Sequence, residues 1–295
     1  MIVDKFPKII EFQTHNRCNA NCIICPYISM NYKGQKMSDM IFKKIIDDCI
    51  GKSIVRLIPY LNNEPFIDKN FIEKLKYIRK KLPDVEIEIS TNVSLLNKDI
   101  IHELYNLNIT ELRLSIFGYS EKTHNHMMPG ISHKKVFENT EYLAKYFRNS
   151  TCKISIVMID NKKLAESEFA KMKEYANKNN FDFSRWGFLD RSTNVKNFSN
   201  NYYNNQACKC EQKRPLERMH ILADGRVIFC CQDWGHNHIL GNVQNNSIEE
   251  IWMSNSYNQY RSNLYNKNLS APELCKKCIL SKGCEINNEE ICNET

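Results

Sequence analysis

Residues 9–25 read IIEFQTHNRCNANCIIC, a short strand-like stretch followed by three cysteines, Cys18, Cys22 and Cys25, spaced Cys-x3-Cys-x2-Cys. The strand covers 9–13, so the polar cysteine loop leaves directly from its carboxyl end. Working outward, 54–60, 85–90, 111–116, 154–159 and 181–186 read as further strands. Between them, 39–50, 68–82, 98–106, 134–147 and 164–177 carry helical character, with Ser38 as an N-cap and Pro83 as a terminator. Six strands alternating with five helices leave connections long enough for right-handed crossovers and a parallel sheet. That is an α/β class, compatible with an open doubly wound sheet or a partial barrel. In both, chemistry collects at the carboxyl ends of the strands, where the cysteine loop sits.

The chain has 295 residues, enough for one large α/β unit over 1–190 and a smaller one behind it. Residues 191–206 are rich in Asn, with Ser and Tyr, and have no period, so they read as a connector. In 207–295, Asp224-Gly225 between 219–223 and 226–230 is a hairpin signal, and 247–254 reads as a helix with Ser247 and Glu250 in capping-box positions. There is no signal-peptide segment and no apolar run long enough to span a bilayer, so a soluble, cytoplasmic protein is expected, with no membrane partner. The formal charge of +7 is modest, and its Lys and Arg alternate with acidic residues, so no nucleic-acid partner is expected.

Thirteen cysteines are too many to ignore. Without an export signal they point to metal sites rather than disulfides. Eleven fall in two groups, 18–25 and 208–292, while Cys49 and Cys152 stand alone as small apolar residues. Three thiolates in eight residues can hold three irons of a cubane and leave the fourth without a protein ligand. The competing reading is zinc with a fourth ligand such as His15.

The triad resembles the signature of the radical S-adenosylmethionine (SAM) superfamily, a likeness that runs over about residues 8–190. It implies a partial (β/α)6 barrel and a [4Fe–4S] cluster on Cys18, Cys22 and Cys25 whose open iron chelates SAM. The position before the last cysteine, often aromatic in that family, is Ile24 here. Where the family has Gly-Gly-Glu after its second strand, this chain has Asn62-Asn63-Glu64-Pro65. Glu64 keeps the acceptor for the SAM amino group, and Asn tolerates the left-handed backbone that the glycines would supply. Asn92 in Ser90-Thr91-Asn92 and Ser115 at the end of the fourth strand resemble further SAM contacts, and equally well serve as strand-end polar groups.

The later cysteines resemble the auxiliary-cluster modules called SPASM and twitch domains. Cys210, Cys230, Cys275 and Cys278 would complete one four-thiolate cluster, giving two [4Fe–4S] clusters in all in a small cysteine-rich α+β domain. The SPASM run of Cys-x2-Cys-x5-Cys-x3-Cys breaks at Asn288, which leaves a second auxiliary cluster, third overall, resting on Cys208, Cys231, Cys284 and Cys292. Arg185 at the end of the sixth strand and Asp233 in the loop after the cysteine pair are candidate substrate contacts, against ordinary roles as a charged rim and a solvated loop. His124 and His126 read as structural residues in a loop.

The resemblance implies reductive cleavage of SAM to a 5′-deoxyadenosyl radical, hydrogen abstraction from a substrate and oxidation with the auxiliary cluster as electron acceptor. A small sugar-like metabolite is the favoured substrate, because 17 residues before Cys18 leave no room for a peptide-binding module. A peptide- or protein-modifying SPASM enzyme is the second expectation. A flavodoxin- or ferredoxin-type protein would supply the electron. A non-catalytic iron–sulfur or zinc protein is the reading from another class, and absence of 5′-deoxyadenosine after anoxic reconstitution would favour it.

Overall fold

A computed structural model describes residues 3–30, 32–195 and 202–283. Strands β1 (Ile9–Phe12), β2 (Arg56–Ile58), β3 (Glu86–Thr91), β4 (Glu111–Ser115), β5 (Lys153–Asp160) and β6 (Asp182–Gly187) lie side by side in chain order, all parallel. The crossovers carry α1 (Asp39–Asp47), α2 (Phe71–Lys81), α3 (Lys98–Asn106), the pair α4 (Glu121–Met127) and α5 (His133–Tyr146), and α6 (Glu166–Lys178). β6 ends the sheet on one side, so the ring of strands stays open.

One face of each strand is apolar. Ile10, Leu57, Ile87, Ile89, Leu112, Leu114 and Ile156 have no exposed surface to speak of, and the helices turn Ile45, Leu75, Leu104 and Leu143 into the same core. Burying each such side chain stabilises the fold by about 1.5–3 kcal/mol, so this interface is the main source of stability. Ser38, Asn97, Ser120 and Ser132 each accept the hydrogen bond that starts their helix. α2 starts at Phe71, three residues after the expected 68, because Pro65–Ile67 forms a 3-10 turn and Asp68 is tied to the amide of Asn70. The segment holding His124 and His126 is helical rather than a loop, with Ser120 as its cap.

The other strand face is charged. Arg56 bonds Glu88 at 2.7 Å and Glu111 at 3.0 Å, while Arg113 bonds Glu88 at 2.6 Å and Glu111 at 2.8 Å. The Tyr60 hydroxyl donates to Glu88 at 2.8 Å. Burial would raise the Glu111 carboxyl, yet Arg113 and Arg56 hold it below its ordinary range. A half-buried lattice of opposite charges therefore fills part of the inner face.

The remaining elements are β7 (Ala207–Cys210), α7 (Arg214–Glu217), β8 (Arg218–Ile221), β9 (Arg226–Ile228), β10 (Ile239–Asn242), α8 (Ile248–Trp252), α9 (Asn255–Tyr265), α10 (Glu273–Lys276) and β11 (Ser281–Gly283). β8 and β9 form the expected hairpin, with Gly225 at φ +83° in its turn. The sheet does not stop at β1: β8 pairs parallel to β1, and β9 and β10 follow antiparallel, so the order is β10-β9-β8-β1-β2-β3-β4-β5-β6. The capping box at Ser247 and Glu250 is closed on both sides. β11 pairs with β7 in a separate two-stranded sheet.

Candidate active site

β1 delivers the chain to the cysteine loop, where the Cys25 amide bonds the Cys22 carbonyl at 3.0 Å and the Ala20 amide points to Cys18 Sγ at 3.5 Å. Such turns bring the three side chains to one place. Burial pushes the Cys18 thiol up to about 12, with Glu64 and Cys25 adding to it; Cys22 is raised well above the ordinary thiol range by burial and then by Cys25 and Cys18. Metal binding must therefore displace protons from all three. Around one zinc ion, sulfurs at 2.3 Å in a tetrahedron stand about 3.8 Å apart. Among the described residues, the one set of three or more ligand atoms within 4.8 Å of one another is Glu11, His220 and Cys231. The triad is thus spaced more widely than a zinc site. Among the described residues His15 does not group with the cysteines as a ligand set; its Nδ1 takes the Arg17 amide at 2.9 Å, its Nε2 is buried without a partner, and Asp68 is the main charge acting on the ring. A cubane suits the donors better.

Glu64 sits in the loop after β2, 2% exposed, its amide bonded to the Arg17 carbonyl at 3.0 Å. The Thr91 hydroxyl and the Asn92 amide, both at the end of β3, donate to its two oxygens at 2.8 Å. Burial nevertheless pushes its carboxyl up to about 7. Among the described residues no cation pairs with this buried carboxylate, and a ligand ammonium would suit it. Asn62 and Asn63 do not take the left-handed backbone expected of them. Asn63 Oδ1 instead accepts the Leu61 amide at 3.0 Å, and the side-chain nitrogens of both Asn62 and Asn63 are buried without partners. A carboxylate and orphaned amide donors together suit the zwitterionic end of SAM.

Asn92 bonds Asn19 of the cysteine loop at 2.8 Å and accepts from the Ser94 hydroxyl at 2.6 Å, which joins the triad loop to the end of β3. The next residue, Val93, has φ +68°, a conformation that costs a β-branched residue roughly 1–3 kcal/mol. Ser115, at the end of β4, stands 3.2 Å from Ser90 Oγ and is half-buried.

Two candidates are corrected. Arg185 pairs in register with Met158, on the face that meets the helices, and it bonds Asp160 at 2.9 Å and Glu166 at 2.7 Å over the ring of Phe169. It does not enter the barrel; its neighbour Trp186 lies on the inner face, against Arg113. Asp233 spends both oxygens inside its own loop, accepting from the amides of Asn237 at 3.0 Å and His238 at 2.7 Å. It shapes that loop rather than offering a free carboxylate.

Cys210, Cys230, Cys275 and Cys278, the set that the likeness to auxiliary-cluster modules implies, line one cavity. They come from the end of β7, the chain after β9, and α10 with its following turn. Burial raises Cys275 and Cys278. Cys231 does not line this cavity; its thiol lies within hydrogen-bond reach of Cys230 and beside Glu11 and His220, where Arg218 already bonds Glu11 at 2.9 Å. Cys284 and Cys292 lie outside the described residues.

Sequence reading missed what links the two groups. Tyr32, after the triad, donates to the Trp234 carbonyl at 3.0 Å and stacks on His236 at 5.4 Å. Gln232 joins two guanidiniums: with its amide turned to satisfy both, its oxygen accepts from Arg214 and Arg191 at 3.0 Å each. Arg191 stands by Cys25, Arg214 by Cys230 and Cys210. Tyr32, Arg214, Gln232, Trp234 and His236 lie near cysteines in the sequence, whereas Arg191 carried no such signal.

Residues 12–172 match the family described as the radical SAM superfamily, and residues 208–279 match SPASM, an iron–sulfur cluster-binding domain. An S-adenosyl-L-methionine-dependent 2-deoxy-scyllo-inosamine dehydrogenase of Niallia circulans is 22% identical over 279 residues, 94% of each chain. Among solved structures, BtrN in complex with AdoMet and 2-DOIA is similar with a TM-score of 0.62 at 19% identity, covering 94% of each chain. Streptococcus suis SuiB bound to precursor peptide SuiA is similar with a TM-score of 0.72 at 16% identity, over 96% of this chain and 72% of SuiB.

Proposed function

The chain belongs to the radical SAM superfamily, with an iron–sulfur cluster-binding SPASM domain behind its barrel, and on that premise we propose that it oxidises a small, sugar-like metabolite. Cys18, Cys22 and Cys25 hold the cluster that meets SAM, and Cys210, Cys230, Cys275 and Cys278 hold an auxiliary one. When bound, these groups supply one electron to the sulfonium of SAM, a 5′-deoxyadenosyl radical that takes hydrogen from the substrate, and an acceptor for the substrate's electron.

The chain's own residues do the rest. Glu64 receives the SAM ammonium, held by Thr91 and the Asn92 amide. Asn92 and Ser115 border the same cofactor from the ends of β3 and β4. The lattice of Arg56, Glu88, Glu111 and Arg113 closes the inner face with its charges paired, which keeps bulk water from the reacting centre. A flavodoxin- or ferredoxin-type protein supplies the electron, and neither nucleic acid nor membrane is a partner.

One observation carries this reading: three thiols stand together in the loop after β1 while four others line a separate cavity. One site is left open for a chelator and the other is closed. Similarity along 94% of both lengths to a cyclitol-type dehydrogenase supports the substrate class. A peptide substrate is the second reading, supported by the likeness in fold to SuiB bound to precursor peptide SuiA.

The test is anoxic reconstitution with SAM, a low-potential reductant and candidate amino-cyclitols deuterated at each carbinol carbon. Deuterium in 5′-deoxyadenosine, with one equivalent of ketone formed, is the expected result. Replacing Cys18, Cys22 and Cys25 by Ala should abolish it. SAM cleavage that persists in that variant defeats the assignment, and transfer from a peptide but from no cyclitol moves it to the second reading.

A further inference from the structure

Arg214, the first residue of α7, lines the same cavity as the four auxiliary cysteines and is 9% exposed. Its Nε has no hydrogen-bond partner, and its Nη1 reaches the neutral oxygen of Gln232. Among the described residues no carboxylate comes within 4.0 Å of it, whereas Arg56, Arg113, Arg185 and Arg218 each bond one. A guanidinium stays charged at any pH the protein survives. Leaving such a charge buried without a partner is strongly unfavourable. The charges that act on Arg214 are the thiols Cys231, Cys230 and Cys210 and, beyond 4.0 Å, the Glu11 carboxylate, which Arg218 already bonds.

A four-thiolate [4Fe–4S] group removes the anomaly. It is anionic in both oxidation states, and it gains one further negative charge when it takes an electron. Net charge and hydrogen bonds to the sulfurs set the potential of such a group. A fixed cation beside it stabilises the more negative, reduced form and so raises the potential.

We propose that Arg214 is the built-in counter-cation of the auxiliary cluster and raises its reduction potential, making it a better electron acceptor. The inference rests on the assignment of Cys210, Cys230, Cys275 and Cys278 as cluster ligands. Arg214 acts through the cluster, as a positioning charge rather than a catalytic residue. Gln232 holds it in place and links it to Arg191, whose charge acts on Cys25.

The experiment uses the full chain with Cys18, Cys22 and Cys25 replaced by Ala, so that auxiliary iron alone is read. Iron and sulfide are counted after anoxic reconstitution, and the midpoint potential is followed by electron paramagnetic resonance. No iron in this background defeats the ligand assignment, not the role of Arg214. With four irons bound, Arg214→Gln should shift the midpoint to a more negative value, and Arg214→Lys should restore most of the shift. An unchanged midpoint in Arg214→Gln, or equal shifts in Gln and Lys variants, overturns the proposal. If the Gln variant does not keep its iron, Arg214→His is titrated instead. Its midpoint should fall as pH rises through the imidazole range while the wild type stays level; parallel pH profiles overturn the proposal.

Discussion

At the scale of the residue, Glu64 carries the clearest consequence. Its folded value of about 7 lies above its ordinary 4.5, so between these limits the folded chain without SAM holds an extra proton. The stability this group allows is full at low pH and falls as pH rises through that window. The change is on the order of 3 kcal/mol for a shift of this size. Glu64→Gln should flatten the slope of urea-unfolding free energy between pH 4.5 and 7 in the SAM-free protein. It should also weaken SAM binding at least tenfold by equilibrium dialysis, because a charge-assisted hydrogen bond contributes about 1.5–3 kcal/mol, while iron content stays unchanged. A slope identical to that of the wild type would mean that the carboxylate is already ionised in the cold pocket. Arg185 tests the opposite expectation. Since it faces the helices, Arg185→Ala should leave SAM cleavage at the wild-type rate and the urea-unfolding midpoint nearly unchanged, as for other exposed ion pairs.

At the scale of the element, caps and strand alternation were legible and distant pairing was not. Ser247-x-x-Glu250 announced its helix, and Ser247→Ala should cost about 1 kcal/mol in chemical denaturation. The alternation in Glu86-Ile87-Glu88-Ile89-Ser90 and Glu111-Leu112-Arg113-Leu114-Ser115 announced strands, and the same pattern held the charged inner lattice in plain view. It went unread because a single strand does not reveal which charges will face each other. The triad and the four auxiliary cysteines were visible because short spacing survives folding. α4 was hidden: seven residues with two histidines have little helical signature besides Ser120. Arg185 was misjudged by parity, since one step along β6 separates the inner face from the helical one. Asn62 and Asn63 were misjudged because a side-chain hydrogen bond, not a left-handed backbone, makes their turn.

At the scale of the whole molecule, the hairpin after the connector is part of the main sheet. β8 covers the edge of β1, and its Arg218 reaches Glu11 across 207 residues of sequence. Residues 1–195 expressed alone should therefore expose an unpaired strand edge and a free flank of the core. The expected outcome is aggregation, or a melting transition far broader than that of the full chain, by light scattering and calorimetry. A soluble, cooperatively folding fragment would show that the hairpin is dispensable. Arg261 holds the other end of this unit, fully buried between Trp252 and Tyr257 and bonded to the carbonyls of Pro215 and Trp252. Arg261→Met leaves these acceptors unsatisfied and should destabilise by roughly 2–5 kcal/mol.

The late arrival of β8 has a consequence for biogenesis. While the ribosome is still making the last third of the chain, β1 and the loop it feeds lack their neighbour on one side. Tyr32 likewise waits for Trp234 and His236, which leave the exit tunnel some two hundred residues later. Iron delivery to the triad should accordingly follow translation rather than accompany it. Stalled nascent chains ending near residue 195 should take up no triad iron from a scaffold protein, and released full-length chains should take it up readily.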